Sequence, residues 1–202
     1  MGAKIETISG VTQGVERVLG RISGPVAGPT LVGVGGLHGN ETAGVRALQK
    51  VLDQLRARSS ALVGDLVALS GNRRALEAGQ RYLARDLNRS WTAGSLRSAR
   101  EKGPVADAED QEQLELLEAL DEAVEAARGE VYLLDLHTTS GPAAPFTAIM
   151  NTPSNRDFAL RFPVPLVLGF GELVDGTFFG YLTNRGITSV VFEGGQHEDP
   201  VS

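Results

Sequence analysis

Short apolar runs alternate along the chain with longer stretches in which apolar residues recur every three or four positions. Apolar runs bounded by Gly or polar residues predict buried strands at 30–36, 64–70, 131–136 and 187–192. Weaker strand patterns are found at 17–23, 145–151 and 164–168. Helical spacing predicts helices at 41–55, 107–128, 155–162 and 176–185. Strands and helices are therefore predicted to alternate through most of the chain.

The strand patterns also indicate how the sheet is covered. Several predicted strands, such as VYLLDL at 131–136, are apolar at consecutive positions, as expected when helices cover both faces of a sheet. This pattern predicts an α/β three-layer sandwich with a central sheet that is mixed and mostly parallel. We expect residues 1–202 to form a single domain, since a chain of this length can bury a sizeable core.

Two segments have a different pattern. Residues 83–100 contain few apolar anchors and are predicted to form an irregular loop region that carries functional residues. The helix at 107–128 has a buried stripe that includes Leu117 and Leu120, and its many acidic residues are predicted to form a solvated face.

Composition narrows the class of protein. The net charge of −6 argues against nonspecific nucleic-acid binding, since no basic tract stands out. No apolar run approaches the roughly 20 residues that span a bilayer, and the N-terminus lacks the pattern of a signal peptide. A cytoplasmic protein that binds a small molecule is therefore expected. Because the sequence contains no cysteine, any metal site must use nitrogen and oxygen donors.

The segments GGLHGNE at 35–41 and DLHTTSG at 135–141 contain ligands of the type that bind catalytic zinc. His38 and Glu41 are three residues apart and would face the same side of a helical turn, whereas His137 would come from a distant strand. Two His and one Glu leave a fourth tetrahedral position open for water, and zinc lowers the pKa of that water to roughly 7. One Zn²⁺ per chain is therefore expected.

Other side chains could complete a hydrolytic site. Glu193 in VVFEGG is a candidate general base and acid, and the alternative is a surface carboxylate in a turn. His38, His137 and Glu193 all follow predicted strands, and ligands in open α/β sheets bind at the carboxyl ends of strands. Asp86 could orient His38 through its other ring nitrogen, or could simply cap a loop. We expect His197, in a polar tail, to be solvated and outside the site.

The segment RYLARDLNR at 81–89 supplies arginine and asparagine donors. The guanidinium of Arg89 presents a planar fork that matches a carboxylate, and Asn88 can donate to the same anion. Arg81 and Arg73 could contact a further acyl or carbonyl oxygen. The alternative interpretation of these arginines is a solvated surface.

With these residues assembled, the chain resembles the succinylglutamate desuccinylase and aspartoacylase family, which is part of the wider zinc carboxypeptidase-like group. The matching segments occur in family order between residues 35 and 195, and they are GGLHGNE, NRRAL, RYLARDLNR, DLHTTSG and VVFEGG. The short HxxE pattern is weak alone, whereas the ordered set is specific. The resemblance implies a zinc carboxypeptidase-like fold and hydrolysis of an N-acyl amino acid to a carboxylic acid and a free amino acid.

The resemblance also implies roles for individual residues. The implied zinc ligands are His38, Glu41 and His137. Glu193 would be the catalytic carboxylate, and Arg81 would lie beside the scissile carbonyl. Asn88 and Arg89 would hold the α-carboxylate of the substrate.

The sequence departs from the family pattern in two respects. Family members usually continue past the Glu-Gly segment into a smaller β-rich domain that helps to close the substrate pocket, whereas this chain stops at Ser202. We therefore expect a catalytic domain without that smaller domain, and a more open pocket. A further substrate-binding arginine of the family, shortly before the catalytic Glu, has no clean match, although Arg185 lies nearby.

Two other functions are compatible with the same residues. A metallocarboxypeptidase or amidase for short peptides needs the same zinc, carboxylate and arginine arrangement, and differs in what fills the acyl side of the pocket. A non-catalytic zinc-binding domain could use the same groups to recognise a carboxylate ligand or partner.

Overall fold

Seven strands build the central sheet of the computed structural model, which describes residues 14–170, 174–197 and 199. The strands are β1 (Val18–Ser23), β2 (Val26–Gly35), β3 (Val63–Ser70), β4 (Val131–Thr139), β5 (Phe146–Ile149), β6 (Leu166–Leu168) and β7 (Thr188–Gln196). Their order across the sheet is β1-β3-β2-β4-β7-β5-β6. The pairs β3–β2, β2–β4, β4–β7 and β5–β6 are parallel, and β1–β3 and β7–β5 are antiparallel. The prediction of a mixed and mostly parallel sheet is confirmed.

Helices cover both faces of this sheet. The helices are α1 (Ala43–Arg56), α2 (Arg73–Ala78), α3 (Ala93–Lys102), α4 (Ala108–Glu125), α5 (Pro153–Ala159) and α6 (Phe178–Asn184). On one face, α3, α4 and α6 pack Leu96, Leu120 and Phe178 against buried strand residues such as Leu133. On the other face, α1 packs Leu48 and Leu52 against β1 and β3, and α5 packs against β5 and β7. The three-layer α/β prediction is therefore confirmed.

The boundaries of several elements differ from their sequence predictions. Helix α3 begins inside the region at 83–100 predicted to be irregular and extends to Lys102. It gives little periodic signal because its buried side is limited to Leu96 and Ala99. Helix α2 was not predicted for the same reason, with Ala75 as its buried residue. Strands β4 and β7 continue past the predicted ends at 136 and 192, because β4 and β7 pair with each other beyond the apolar runs.

The prediction of a solvated acidic face on α4 is wrong for the first half of the helix. Glu109, Asp110 and Glu112 are at most 1% exposed. They are buried because arginine side chains and backbone N–H groups from distant parts of the chain satisfy their carboxylates. Glu118, six residues after Glu112, is exposed as predicted.

No helix in the described part of the chain is long and apolar enough to cross a membrane.

Candidate active site

A tight turn between β2 and α1 carries His38 and Glu41. The backbone N–H of Glu41 donates to the carbonyl oxygen of His38 over 3.0 Å, which closes the turn before α1 begins at Ala43. The two side chains therefore converge through a turn, and not through the helical turn predicted from their spacing. Gly39 is required within it, since an added Cβ would lie 2.0 Å from the carbonyl carbon of Ala75.

His137 and Glu193 come from the neighbouring central strands β4 and β7. The two residues are register partners across this parallel pair. Both lie inside their strands, and not just after them as predicted from sequence. Because His38 follows β2, the strand next to β4, the three segments meet at the carboxyl edge of the sheet.

Glu41 joins the two histidines. Its Oε1 lies 2.7 Å from Nδ1 of His38, and its Oε2 lies 2.9 Å from Nδ1 of His137. The backbone N–H of Thr138 donates to the same Oε2 over 3.0 Å. One potential ligand atom from each of His38, Glu41 and His137 lies within 4.8 Å of the others, and all three residues are buried.

The carboxylate and the two imidazoles of this cluster stabilise each other's charged forms. Burial alone would raise the pKa of Glu41, but hydrogen bonds with His137 and His38 lower it well below its usual range. Burial alone would lower the pKa of both imidazoles, but neighbouring carboxylates raise it for His38 and raise it further for His137. A buried carboxylate that stays charged between two imidazoles is a suitable environment for a divalent cation.

A second carboxylate lies behind each histidine. Asp86 Oδ1 lies 3.1 Å from Nε2 of His38, the contact expected for a group that orients the ring. The same oxygen accepts the backbone N–H of Asn88, so Asp86 also caps a loop. Asp135 Oδ1 lies 3.2 Å from Nε2 of His137, at ion-pair distance, although neither oxygen of Asp135 has an aligned hydrogen-bond partner among the described residues.

Glu193 lines the cleft above this cluster. Its Oε2 is buried and has no hydrogen-bond partner in the described part of the chain. Burial raises the pKa of Glu193, and the nearby His137 opposes this while Glu41 and Asp135 add to it. The side chain is therefore not the surface carboxylate of the alternative interpretation.

Arg81, Asn88 and Arg89 of segment 81–89 also line the cleft, and this part of its lining is the second wall. Arg81 reaches Asp86 Oδ2 over 3.1 Å and Glu41 Oε1 over 3.5 Å. Asn88 is buried, and its Oδ1 accepts the backbone N–H of Phe178 over 2.8 Å, which turns its amide nitrogen toward His137 at 3.5 Å. Arg89 is exposed and lines the same cleft, which has a volume of about 250 Å³.

Two predicted arginines do not line this cleft. The guanidinium of Arg73 pairs with Glu115, and its backbone N–H donates to Glu112 over 2.9 Å, so Arg73 belongs to an ion-pair network on α4. This corrects its assignment as a substrate-binding residue. Arg185 pairs with Asp121 over 2.7 Å and is likewise absent from the residues that line the cleft.

Sequence reasoning missed several residues near the site. His197 is not a solvated tail residue, because its Nδ1 lies 2.8 Å from the hydroxyl of Thr138 and its N–H donates to the carbonyl of Thr139. Thr177 lines the cleft and is 3% exposed. The DLHTTSG motif contained a signal for the threonines after His137, whereas no motif marks Thr177.

Solved structures with this arrangement of strands and helices are known. The succinylglutamate desuccinylase from Chromobacterium violaceum is 22% identical, with a TM-score of 0.67 over 87% of this chain and 55% of that chain. Murine aminoacylase 3 is 22% identical, with a TM-score of 0.56 over 89% of this chain and 58% of that chain. These likenesses define the class of the protein as an α/β domain with a zinc carboxypeptidase-like fold.

The family itself is defined by sequence. A model described as the succinylglutamate desuccinylase/aspartoacylase catalytic domain matches residues 27–172. A succinylglutamate desuccinylase from Serratia proteamaculans (strain 568) is 37% identical over 103 residues, which are 51% of this chain and 30% of that protein. The chain belongs to the succinylglutamate desuccinylase/aspartoacylase family, and it spans about half the length of the structures it matches.

Proposed function

We propose that this chain is the catalytic domain of a zinc-dependent hydrolase that cleaves the amide bond of an N-acyl amino acid. The observation that carries the proposal is a single cleft that is lined by a His-Glu-His cluster, by Glu193 and by two residues with side-chain donors, Asn88 and Arg89. The buried Oε2 of Glu193 has no hydrogen-bond partner among the described residues. Membership of the succinylglutamate desuccinylase/aspartoacylase family supports the same reaction class.

The metal would be held by His38, Glu41 and His137. The fit is supported by the donor set itself, which contains two imidazoles and one carboxylate and leaves a fourth tetrahedral position for water or substrate. Zinc bound there would polarise the amide carbonyl and lower the pKa of a water ligand to about 7. Asp86 would hold the ring of His38 in the ligating orientation.

Glu193 would act as general base and then as general acid. Its buried Oε2 has no partner among the described residues and is free to take a proton from the attacking water. The same carboxyl would then pass that proton to the leaving amine, as hydrolysis of an amide requires. Its position on β7, beside His137 on β4, holds it at a fixed distance from the ligands.

Segment 81–89 would bind and orient the substrate. Asn88 and Arg89 line the cleft, and the amide nitrogen of Asn88 and the guanidinium of Arg89 would donate to an α-carboxylate of the substrate. Arg81, which also lines the cleft, would lie beside the scissile carbonyl and stabilise the charge that develops on its oxygen. We propose that the described residues act as one catalytic domain, since the candidate ligands, Glu193 and the donors of segment 81–89 all line one cleft.

The test is release of primary amine across a panel of N-acetyl and N-succinyl amino acids and unmodified dipeptides, with zinc present and again after chelation. Chelator-sensitive release from one acyl class is expected, and it would also identify the acyl preference. Faster cleavage of the dipeptides would favour the metallocarboxypeptidase alternative.

The non-catalytic alternative has its own outcome in the same experiment. A wild-type protein that binds one zinc per chain, binds carboxylates and releases no amine from any substrate would contradict the proposed hydrolysis. Glu193→Gln is the matched control, because it keeps the size of the side chain and removes the base.

A further inference from the structure

We propose that Glu109, on α4, is a positioning residue that sets the affinity of the cleft for the substrate carboxylate by anchoring segment 81–89. This inference rests on the proposed function. Glu109 does not line the cleft and touches neither the cluster nor Glu193. It would act through the hydrogen bonds that it accepts from that segment.

The carboxylate of Glu109 is fully buried and accepts hydrogen bonds from four donors. Oε1 accepts the backbone N–H of Leu83 over 2.7 Å and Nδ2 of Asn72 over 3.0 Å. Oε2 accepts the backbone N–H of Ala84 over 2.8 Å and that of Arg85 over 3.3 Å. Three successive N–H groups of an irregular segment are therefore bound by one side chain.

These hydrogen bonds take the place of the backbone hydrogen bonds that a neighbouring β-strand would provide. Residues 81–86 belong to neither a helix nor a strand, yet this segment leads directly to Asn88 and Arg89. Asn72 begins α2 immediately after β3, so the bond from its amide to Glu109 ties the segment to the sheet. Burial alone would raise the pKa of Glu109, but the hydrogen bonds from Leu83, Asn72, Ala84 and Arg85 lower it, which keeps the acceptor charged.

Other residues at the start of α4 also bind residues of this segment or next to it. Arg85 pairs with Asp107 and Asp110, and Nε2 of Gln113 donates to the carbonyl oxygen of Ser90.

Gly39 donates its N–H to the carbonyl oxygen of Arg81 over 3.1 Å at the start of the segment. Among the hydrogen bonds of the described residues, those from the backbone N–H groups of residues 83–85 to a side chain all go to Glu109, so this carboxylate constrains the path of the chain between the two ends of the segment. Loss of the Glu109 carboxylate would let the donors Asn88 and Arg89 move, whereas the proposed metal ligands would stay in place.

The experiment compares wild type with Glu109→Gln, which keeps the shape and loses the charge. The amide NH₂ of Gln must face one of the two donor pairs and leave it unsatisfied. We expect faster hydrogen exchange at the N–H groups of Leu83, Ala84 and Arg85. We also expect kcat/KM for N-acyl amino acids to fall about 10-fold to 100-fold, mainly through KM. For the matching α-carboxamides the fall should be less than about threefold, and zinc content should be unchanged.

Two controls on the same helix separate positioning from loss of stability. Glu118→Gln makes the same charge change at an exposed position. It should change neither hydrogen exchange at residues 83–85 nor kcat/KM. Glu112→Gln removes a buried carboxylate that binds Arg17, Arg73 and Arg74 and does not contact residues 83–85. This substitution should lower thermal stability and change kcat/KM for carboxylate and carboxamide substrates by the same factor. If Glu109→Gln does not fold, Glu109→Asp, which keeps the charge but shortens the reach, takes its place in both measurements.

Equal losses for carboxylate and carboxamide substrates, or unchanged exchange at residues 83–85, would overturn the proposal. A wild-type protein without turnover on any substrate would overturn the proposed function instead. In that case faster exchange at residues 83–85 in the variant would still support the anchoring role, so the two failures are distinguishable.

Discussion

The two walls of the cleft are built in different ways. One wall contains the His-Glu-His cluster and Glu193, which are fixed by the central strands or by the turn that follows one of them. The other wall is segment 81–89, which has no strand and is attached to the sheet through side chains of α4 and the start of α6. The proposed catalytic groups therefore lie on the central strands or next to them, whereas the proposed substrate-binding groups lie on a segment whose position depends on side chains from other elements.

Gly176 illustrates how close the attachment of the second wall is. Its carbonyl oxygen accepts the backbone N–H of Trp91 over 3.0 Å, and a Cβ at residue 176 would lie 2.4 Å from the carbonyl oxygen of Arg89. Its φ of +70° also favours glycine. The second wall is therefore held between α4 and the start of α6.

The wall that contains the His-Glu-His cluster and Glu193 is here called the strand-borne wall. Replacing a proposed zinc ligand on this wall should have the largest effect on activity. We expect His137→Ala to lose both zinc and activity, because one imidazole and one carboxylate cannot replace a three-ligand site. Metal content by atomic emission and amine release from the best panel substrate are the two measurements. Stoichiometric zinc in the purified variant would contradict the ligand assignment.

Glu193→Gln should separate the metal from the proton transfer on the same wall. We expect kcat to fall by about 10²-fold to 10⁴-fold with zinc content unchanged, because general acid–base catalysis is lost and no ligand is removed. Steady-state kinetics together with metal analysis test this. A variant with wild-type kcat would remove Glu193 from the mechanism.

Arg89→Ala should affect the second wall only. We expect KM for carboxylate substrates to rise by about 10-fold to 100-fold with kcat changed far less, because a charged hydrogen bond to the substrate is lost. The measurement is steady-state kinetics on an N-acyl amino acid and on its α-carboxamide. An unchanged kcat/KM for the carboxylate substrate would exclude Arg89 from the site.

Arg73→Ala is the matched arginine control for that variant. Arg73 contacts Glu115 and Glu112, so its loss should lower the thermal midpoint and leave KM within about twofold of wild type. A KM change as large as that of Arg89→Ala would restore Arg73 to the substrate-binding residues.

The smallest effect is a pH dependence of stability at the anchor of the second wall. The pKa of Glu109 is lowered from its ordinary value of 4.5 in the folded protein. Its contribution to the free energy of unfolding is therefore complete above about pH 5 and is lost as the pH falls through the lowered pKa. Urea unfolding of wild type and Glu109→Gln between about pH 7 and about pH 3 should give a stability difference that narrows only at the acidic end. A difference that grows with acid would contradict the sign of this shift.

The strand-borne wall could be predicted from sequence because its signals are local. Three of the four apolar runs that predict buried strands, at 30–36, 131–136 and 187–192, are followed within two residues by His38, His137 or Glu193, and histidine is rare in this chain. The turn geometry of His38 and Glu41 and the continuation of β4 and β7 were wrong in detail, since both depend on pairing between strands. These errors shifted element ends by a few residues and did not change which side chains meet.

The second wall and its anchor could be predicted only in part. RYLARDLNR predicts Asn88 and Arg89 as substrate-binding residues, and both line the cleft, whereas Arg73, predicted for the same role, pairs with Glu115 instead. The sequence predicts solvated acidic residues on α4 because periodicity indicates only which apolar side chains are buried. Periodicity cannot indicate a buried carboxylate that accepts hydrogen bonds from N–H groups 24 to 26 residues away in the chain.

The sequence by itself determined the alternation of strands and helices, the α/β class and the identity of the candidate metal ligands. These follow from apolar periodicity and from residue chemistry, which act over a few neighbouring positions. Only the tertiary structure decided which carboxylates are buried, which arginines face the cleft and how segment 81–89 is held. Those outcomes depend on hydrogen bonds between residues distant in the chain, whose free energy is gained only when the sheet and its helices are assembled.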